Sequence, residues 1–385
     1  MSERKSIWNI VGLVLTLGLS AVVAIVAVTR GDHAAAPLEA SPTPTPTPSG
    51  SSSPGALGGA GPYVVYAKKS DVFAYDVASG STVSLGSVEG TPAAERSRQP
   101  GSGKIVAFPT HEGSVWSVKR GGMTRVGGIP SGAGDRFEGA AVSADDRRIA
   151  IGVLAPDPAT VIVDLQSGRS TVVERSRRGG YPPEPLLPVA WSLGGGLIYQ
   201  IPYCQCAAGT SGLFSLDANN GASVIVTGTR STKLFTFAVA SSGQSLFYGA
   251  GSSRRCDAGE AEPCTGPPFF LRRIASGQRG VETLRRASDA SFTVRAISQN
   301  GDLLLVTRLE RGSSMMRTEV YGPNGERRPP IRGIPDRVTP IALLPRDVVI
   351  GSTSTPFTIV VVRGGSQETI VQTEDGAPIY LGWLS

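Results

Sequence analysis

Histidine is almost missing from this chain: of 385 residues, only His33 and His111 carry an imidazole. Acyl transfer by a histidine-assisted nucleophile would have to recruit His111, which stands in the segment THEGSV and reads as a turn residue. No Gly-Xaa-Ser-Xaa-Gly elbow accompanies it. Aromatic residues are scarce at 6%, and the arginine pairs at 177–178, 254–255, 272–273, 285–286 and 327–328 are scattered along the chain. Nucleic-acid binding calls for a basic face interleaved with stacking rings, and this pattern argues against it. Only six of the 37 basic residues are lysine, so the net charge of +6 rests on arginine; codon bias explains that as readily as a need for phosphate forks. GSGK at 101–104 lacks phosphate-loop spacing, and Asp217-Ala-Asn-Asn-Gly offers calcium one carboxylate and no terminal Glu. Asp145 and Asp146 read as a solvated turn. No catalytic residue, cofactor site or metal site is assigned.

Charge is also missing from Ile7 to Val28, a run of 22 residues. As a helix it reaches about 33 Å, enough for a bilayer core of about 30 Å. Arg4 and Lys5 precede it, so the positive-inside rule leaves residues 1–6 in the cytoplasm and sends the rest outside. Residues 7–29 are therefore expected to form a transmembrane signal anchor of a single-pass cell-membrane protein. A cleaved signal peptide, cut near Ala34–Ala36, is the competing reading, but the run exceeds the usual apolar length of such peptides. No cysteine follows it, which excludes a lipid-anchored lipoprotein. Residues 30–62, with SPTPTPTPS at 41–49, are rich in Pro, Ser, Thr and Gly and lack apolar periodicity. They are expected to form a disordered, extended stalk.

What is present in abundance is turn chemistry, with 49 Gly and 29 Pro, which favours an all-β fold of short strands. Apolar runs end at glycine turns at Gly80, Gly122, Gly168, Gly221, Gly277, Gly325 and Gly365, spaced by 42, 46, 53, 56, 48 and 40 residues. A period of this size marks a unit that buries its face only by stacking on copies of itself. Upstream of the turns stand related segments: SADDRRIAIG from Ser143, WSLGGGLIYQ from Trp191, ASSGQSLFYG from Ala240 and SQNGDLLLVT from Ser298. Residues 63–385 are expected to form a seven-bladed β-propeller, with six blades as the alternative count. The region opens on GPYVVYAKKSDVFAYDV, later strands without a first, and finishes on PIYLGWLS. That last strand is expected to complete the first blade and so remove two open sheet edges.

The unit of apolar residues, Trp-Ser, a Gly turn, two strands, Asp and a Ser-Gly turn resembles the TolB-type β-propeller repeat, a distant relative of the WD repeat. The resemblance covers residues 63–385 and is best in blade 4, at Trp191, Ser192, Gly194 and Asp217. No other internal copy keeps the Trp, and blades 6 and 7 lack the Asp, so the resemblance implies a fold and carries over no partner.

Outside the membrane, Cys204, Cys206, Cys256 and Cys264 are disulfide candidates. A Cys204–Cys206 bond would violate the usual Cα separation. Two pairings then remain, both joining the long loops of blades 4 and 5; thiolate metal binding is the alternative, without a nearby histidine. The binding face of a propeller is expected where blade-to-blade connections and second-to-third-strand loops gather. There GDRFEG (134–139) offers Arg136 and Phe137, and RSRRGGYPPEP (175–185) offers Arg177, Arg178 and Tyr181. The cysteine loops add Tyr203, Arg254 and Arg255, and RLERGSSMM (308–316) adds Arg311 and Met316. Arginine and aromatic side chains suit a protein or polyanion contact. The expected function is a membrane-anchored, non-enzymatic binding or scaffold module for a protein or cell-envelope polymer. The alternative is a propeller hydrolase or lyase acting on glycans with paired carboxylates.

Overall fold

The computed structural model describes residues 56–59, 61–93, 102–130, 136–155, 158–173, 186–202, 210–229, 232–239, 245–253, 265–275, 278, 280–313, 316–354, 357–374 and 377–385. All belong to the compact unit Gly50–Ser385. The expected membrane segment at residues 7–29 lies outside them. Among the described residues, no helix is long and apolar enough to cross a membrane.

Among the described residues, alternating apolar runs cut by glycine turns give 28 short strands in seven antiparallel sheets. Blade 1 holds β1 (Tyr63–Lys68), β2 (Asp71–Asp76) and β3 (Ser81–Ser87). Blade 2 holds β4 (Val106–Pro109), β5 (Ser114–Lys119) and β6 (Gly122–Gly128), with Pro92 bridged to Thr110. Blade 3 holds β7 (Arg136–Val142), β8 (Arg148–Ala155), β9 (Ala159–Asp164) and β10 (Ser170–Val173). Blade 4 holds β11 (Leu186–Trp191), β12 (Leu197–Pro202), β14 (Phe214–Asp217) and β15 (Ser223–Ile225). Its loop also supplies β13 (Thr210–Ser211), which pairs with the next blade. Blade 5 holds β16 (Thr232–Val239), β17 (Ser245–Ser253), β18 (Thr265–Ala275) and β19 (Glu282–Ala287). Blade 6 holds β20 (Ala290–Ile297), β21 (Leu304–Glu310), β22 (Met316–Tyr321) and β23 (Arg327–Arg328). Blade 7 holds β24 (Thr339–Leu344), β25 (Val348–Ser354), β26 (Phe357–Arg363) and β27 (Ser366–Thr373). The last strand, β28 (Ile379–Leu384), returns to blade 1 and pairs antiparallel with β1, Trp383 opposite Val64 and Leu384 opposite Tyr63. The count is seven rather than six, and the C-terminal strand closes the ring as expected.

The repeat unit is built by two recurring turns. Ser143, Ser192 and Ser298 each place a hydroxyl oxygen where it accepts from the backbone N–H five residues on, at Arg148, Leu197 and Leu303, over 2.9–3.1 Å. The serines are thereby committed to hairpin geometry. At the next turn the Asp164 carboxylate accepts from Gln166 N at 3.0 Å and from Ser167 N at 2.6 Å. Asp76 and Asp217 do the same for Ala78 and Asn219, both at 2.8 Å. These are Asx turns that cap the hairpin. Gly168 follows at φ +72°, where a Cβ would also strike the Val126 carbonyl oxygen of blade 2. Glycine is required twice over there, for the left-handed backbone and for the close approach.

Apolar side chains form seven clusters, one at each blade-to-blade junction. In the six blades whose innermost strand is described, that strand carries a register shift against its neighbour. A bulge adds local right-handed twist, which helps each sheet turn from the channel wall to the rim. At the channel, blade 2 reaches three other blades through one turn. Ser102 Oγ donates to Asp146 at 2.6 Å, Ser102 O accepts from Gln299 at 2.6 Å, and Gly103 O accepts from Ser385 N at 2.6 Å. Asp146, expected to be solvated, is half-buried by this contact, and burial raises its pKa.

Within residues 30–62, expected as stalk, the described part 56–59 contacts the ring. Leu57 is buried in the blade 1–2 cluster, its N–H donates to Arg120 O at 2.8 Å, and Arg120 Nη1 donates to Gly59 O at 2.6 Å. A single apolar residue and backbone bonds to Arg120 hold this Gly-rich stretch, which composition alone hid.

Candidate functional site

Backbone hydrogen bonds show which loops share an end of the ring. In blade 2, His111 N in the β4–β5 turn donates to Thr91 O in the connection from blade 1, at 2.9 Å. In blade 6, Arg311 N in the β21–β22 turn donates to Asp289 O in the connection from blade 5, at 2.6 Å. Arg311 and Met316 are exposed at this end. Arg136 belongs to β7, but its side chain lies outside the described residues, as do Arg177, Arg178, Tyr181, Tyr203, Arg254, Arg255 and all four cysteines. Phe137 requires correction. Its ring is 2% exposed and packs in the blade 2–3 junction, because strand alternation turns it inward. It cannot serve as a surface anchor.

The sequence reading missed a cleft of about 380 Å³ at the blade 5–6 junction. It is lined by Arg285 and Arg286 from β19, Asp289 from the connection, Arg308 from β21, Glu319 and Tyr321 from β22, and Arg327 from β23. The arginine pair 285–286 thus meets Arg327 of the pair 327–328 in space. Arg285 and Arg327 are 42 residues apart, about one blade, and a propeller sets residues one repeat apart side by side across a junction. The repeat spacing was the signal that could have found them.

Glu319 is 6% exposed and is held by guanidinium groups, at 2.9 Å from Arg327 Nη2 and 3.8 Å from Arg308 Nη1. The other Arg308 nitrogen, Nη2, lies 3.4 Å from Asp289. Tyr321 donates its hydroxyl to Glu319 Oε2 at 2.5 Å. Arg285 donates to the Gly325 carbonyl and lies 5.9 Å from the Tyr321 ring centre. Arg286 makes no ion pair among the described residues, and Arg308 Nε is a buried donor without an acceptor among them. The lining therefore carries four guanidinium groups against two carboxylates, and both carboxylates are engaged. Among the described residues there is no group of three or more His, Cys, Asp or Glu side chains that could hold a metal ion.

Burial, then the hydrogen bond to Glu319, pushes the Tyr321 phenol up to about 12. Between pH 10 and 12 the unfolded chain loses this proton while the folded chain keeps it. Stability therefore falls as pH rises through that window. Tyr321→Phe is expected to flatten the fall by up to about 1.4 kcal/mol per pH unit. Urea denaturation of both proteins from pH 8.5 to 11.5 reads this directly. Parallel curves would show that Tyr321 titrates normally. Tyr248, fully buried and also pushed up to about 12 by its burial, leaves a residual slope in the variant.

No protein-family model matches this chain, and comparison with curated protein sequences finds no match. Solved structures do resemble it. TolB from Acinetobacter baumannii is 14% identical at a TM-score of 0.45, over 83% of this chain and 82% of that one. An oligogalacturonate lyase in complex with manganese is 11% identical at a TM-score of 0.48, over 81% of each chain. A Mycobacterium tuberculosis puromycin-hydrolyzing peptidase is 15% identical at a TM-score of 0.49, over 78% of this chain and 48% of that one. At such identities the likeness is one of fold and transfers neither ligand nor activity.

Proposed function

We propose that this chain is a membrane-anchored, extracytoplasmic propeller that acts as a non-enzymatic binding module for a protein or a cell-envelope polymer. The uncharged run from Ile7 to Val28 behind Arg4 and Lys5 supports the anchor and its orientation. The observation that carries the binding role is the arginine-rich cleft at the junction of blades 5 and 6. Glycan cleavage by carboxylates needs an acid pair facing substrate. Glu319 and Asp289 instead face the two terminal nitrogens of one guanidinium, that of Arg308. The cleft is thus organised around fixed cations, which favours recognition over bond cleavage.

Photocrosslinking in intact cells tests the reading. A photoreactive residue replacing Arg311 or Met316, at the loop end, is expected to trap one partner or one polymer adduct. The same residue at Gln166 or Asn219, in the turns that close β9–β10 and β14–β15, is expected to trap none. Equal capture from both sets would remove the loop end as the binding face, and no capture together with turnover of a glycan library would replace the binding module with an enzyme.

A further inference from the structure

We propose that the cleft at the blade 5–6 junction is an oxyanion site, taking one phosphate or carboxylate group carried by a sugar-sized organic ligand. The proposal rests on the binding-module reading and names the chemistry it would use.

Three observations point this way. First, the charge balance of the lining is positive by two after every ion pair is counted, and Arg286 has no carboxylate partner among the described residues. Second, Arg308 of the lining stands directly opposite Arg317, which lies outside it, across β21 and β22. Like charges opposite one another destabilise a sheet, so the strands hold a cation concentration that folding alone disfavours. Third, the guanidinium of Arg308 is already fixed between Glu319 and Asp289, and that of Arg285 by the Gly325 carbonyl. Such groups are preorganised, so they lose little freedom when an anion docks. A planar fork donates to two oxygens of a carboxylate or phosphate at once, and a neutral or cationic ligand lacks such an anionic pair. The volume of about 380 Å³ lies at the small end of ligand pockets, near 300–1,000 Å³. It suits one ring bearing an anionic group, either free or as a residue of a polymer.

The test uses the full chain in detergent and isothermal titration with inorganic phosphate, glucose 6-phosphate, glucuronate and glucose. At least one of the three anions is expected to bind saturably and to weaken as salt rises; glucose is expected to give no heat. Arg286→Gln and Arg327→Gln, both at exposed positions, are each expected to weaken binding by about 10-fold, the scale of one charge-assisted hydrogen bond. Arg332→Gln, exposed but outside the cleft, is expected to change nothing. Retention of alginate over dextran, with weak monomer binding, would identify a polymer as the source of the anion. If a variant misfolds, protection of Arg286 and Arg327 from phenylglyoxal by the bound anion, read by mass spectrometry on the unaltered chain, replaces it. No saturable anion binding, affinity in both cleft variants unchanged from that of the unaltered chain, or retention of polyglutamate without response to any of the small anions would each overturn the site. A loop-end crosslink that persists in those cases would leave the binding module standing; its loss as well would remove both.

Discussion

A chain ending at Ala377 is expected not to fold cooperatively, although it lacks only eight of 385 residues. Those residues supply the inner strand of blade 1. Without β28, β1 becomes an open edge with unpaired N–H and C=O groups, an invitation to aggregation. Trp383 leaves the cluster joining blades 7 and 1, and Leu384 leaves the one joining blades 1 and 2. Both side chains are fully or almost fully buried. Two of seven junctions fail together, and a ring has no neighbour to spare. The single change Trp383→Ala isolates the packing part and is expected to cost about 3–5 kcal/mol. Urea denaturation followed by intrinsic fluorescence and circular dichroism measures both. The nine-residue peptide 377–385 added to the truncated chain is expected to restore part of the transition. A sharp transition for the truncated chain, within about 1 kcal/mol of the full one, would mean that the ring is held elsewhere.

Trp191→Ala is expected to destabilise the protein by about 3–5 kcal/mol, at the upper end for a core substitution. The indole is 0% exposed and fills the blade 3–4 junction among Ala141, Ala150, Ile162 and Ile198. Its Nε1 donates to Ala141 O at 2.7 Å, so truncation also leaves a buried carbonyl unpaired. The Arg148 guanidinium lies 4.7 Å from the ring centre and donates to Gly195 O at 2.7 Å, tying the same junction from its polar rim. Trp191→Phe keeps most of the volume and loses the hydrogen bond, so its cost should be clearly smaller. Chemical denaturation of the pair separates the two contributions. Equal costs would show that the hydrogen bond, rather than the volume, holds the junction.

Much of the architecture was legible because several blades repeat the same local chemistry. Ser143, Ser192 and Ser298 announce one hairpin, and Asp76, Asp164 and Asp217 announce another, each through a side chain that bonds its own turn. Of the seven turn glycines, six have positive φ and Gly277 lies outside the described residues. The orphan strands at the two ends fixed the closure for the same reason: a missing first strand and a spare last one have only one economical pairing. Phe137 shows the limit of that reasoning. Loop-like composition around it suggested exposure, and only the pleat of β7 shows which way the ring turns.

The sequence by itself determined the propeller class, the turn positions and the strand that shuts the ring, since these follow from the alternation along each strand and from the recurrence of one hairpin unit, while the choice of seven blades over six came from the sheet pairing. Only the tertiary structure decided that Arg285, Arg286, Arg308 and Arg327 share one cleft with Glu319 and Tyr321. It likewise decided that the turn at Ser102 binds blades 1, 3 and 6. Both are meetings of residues far apart in the chain, created by stacking twisted sheets around an axis. Hydrophobic pattern sets which face of a strand is buried, but charge balance at a junction depends on which two faces come together.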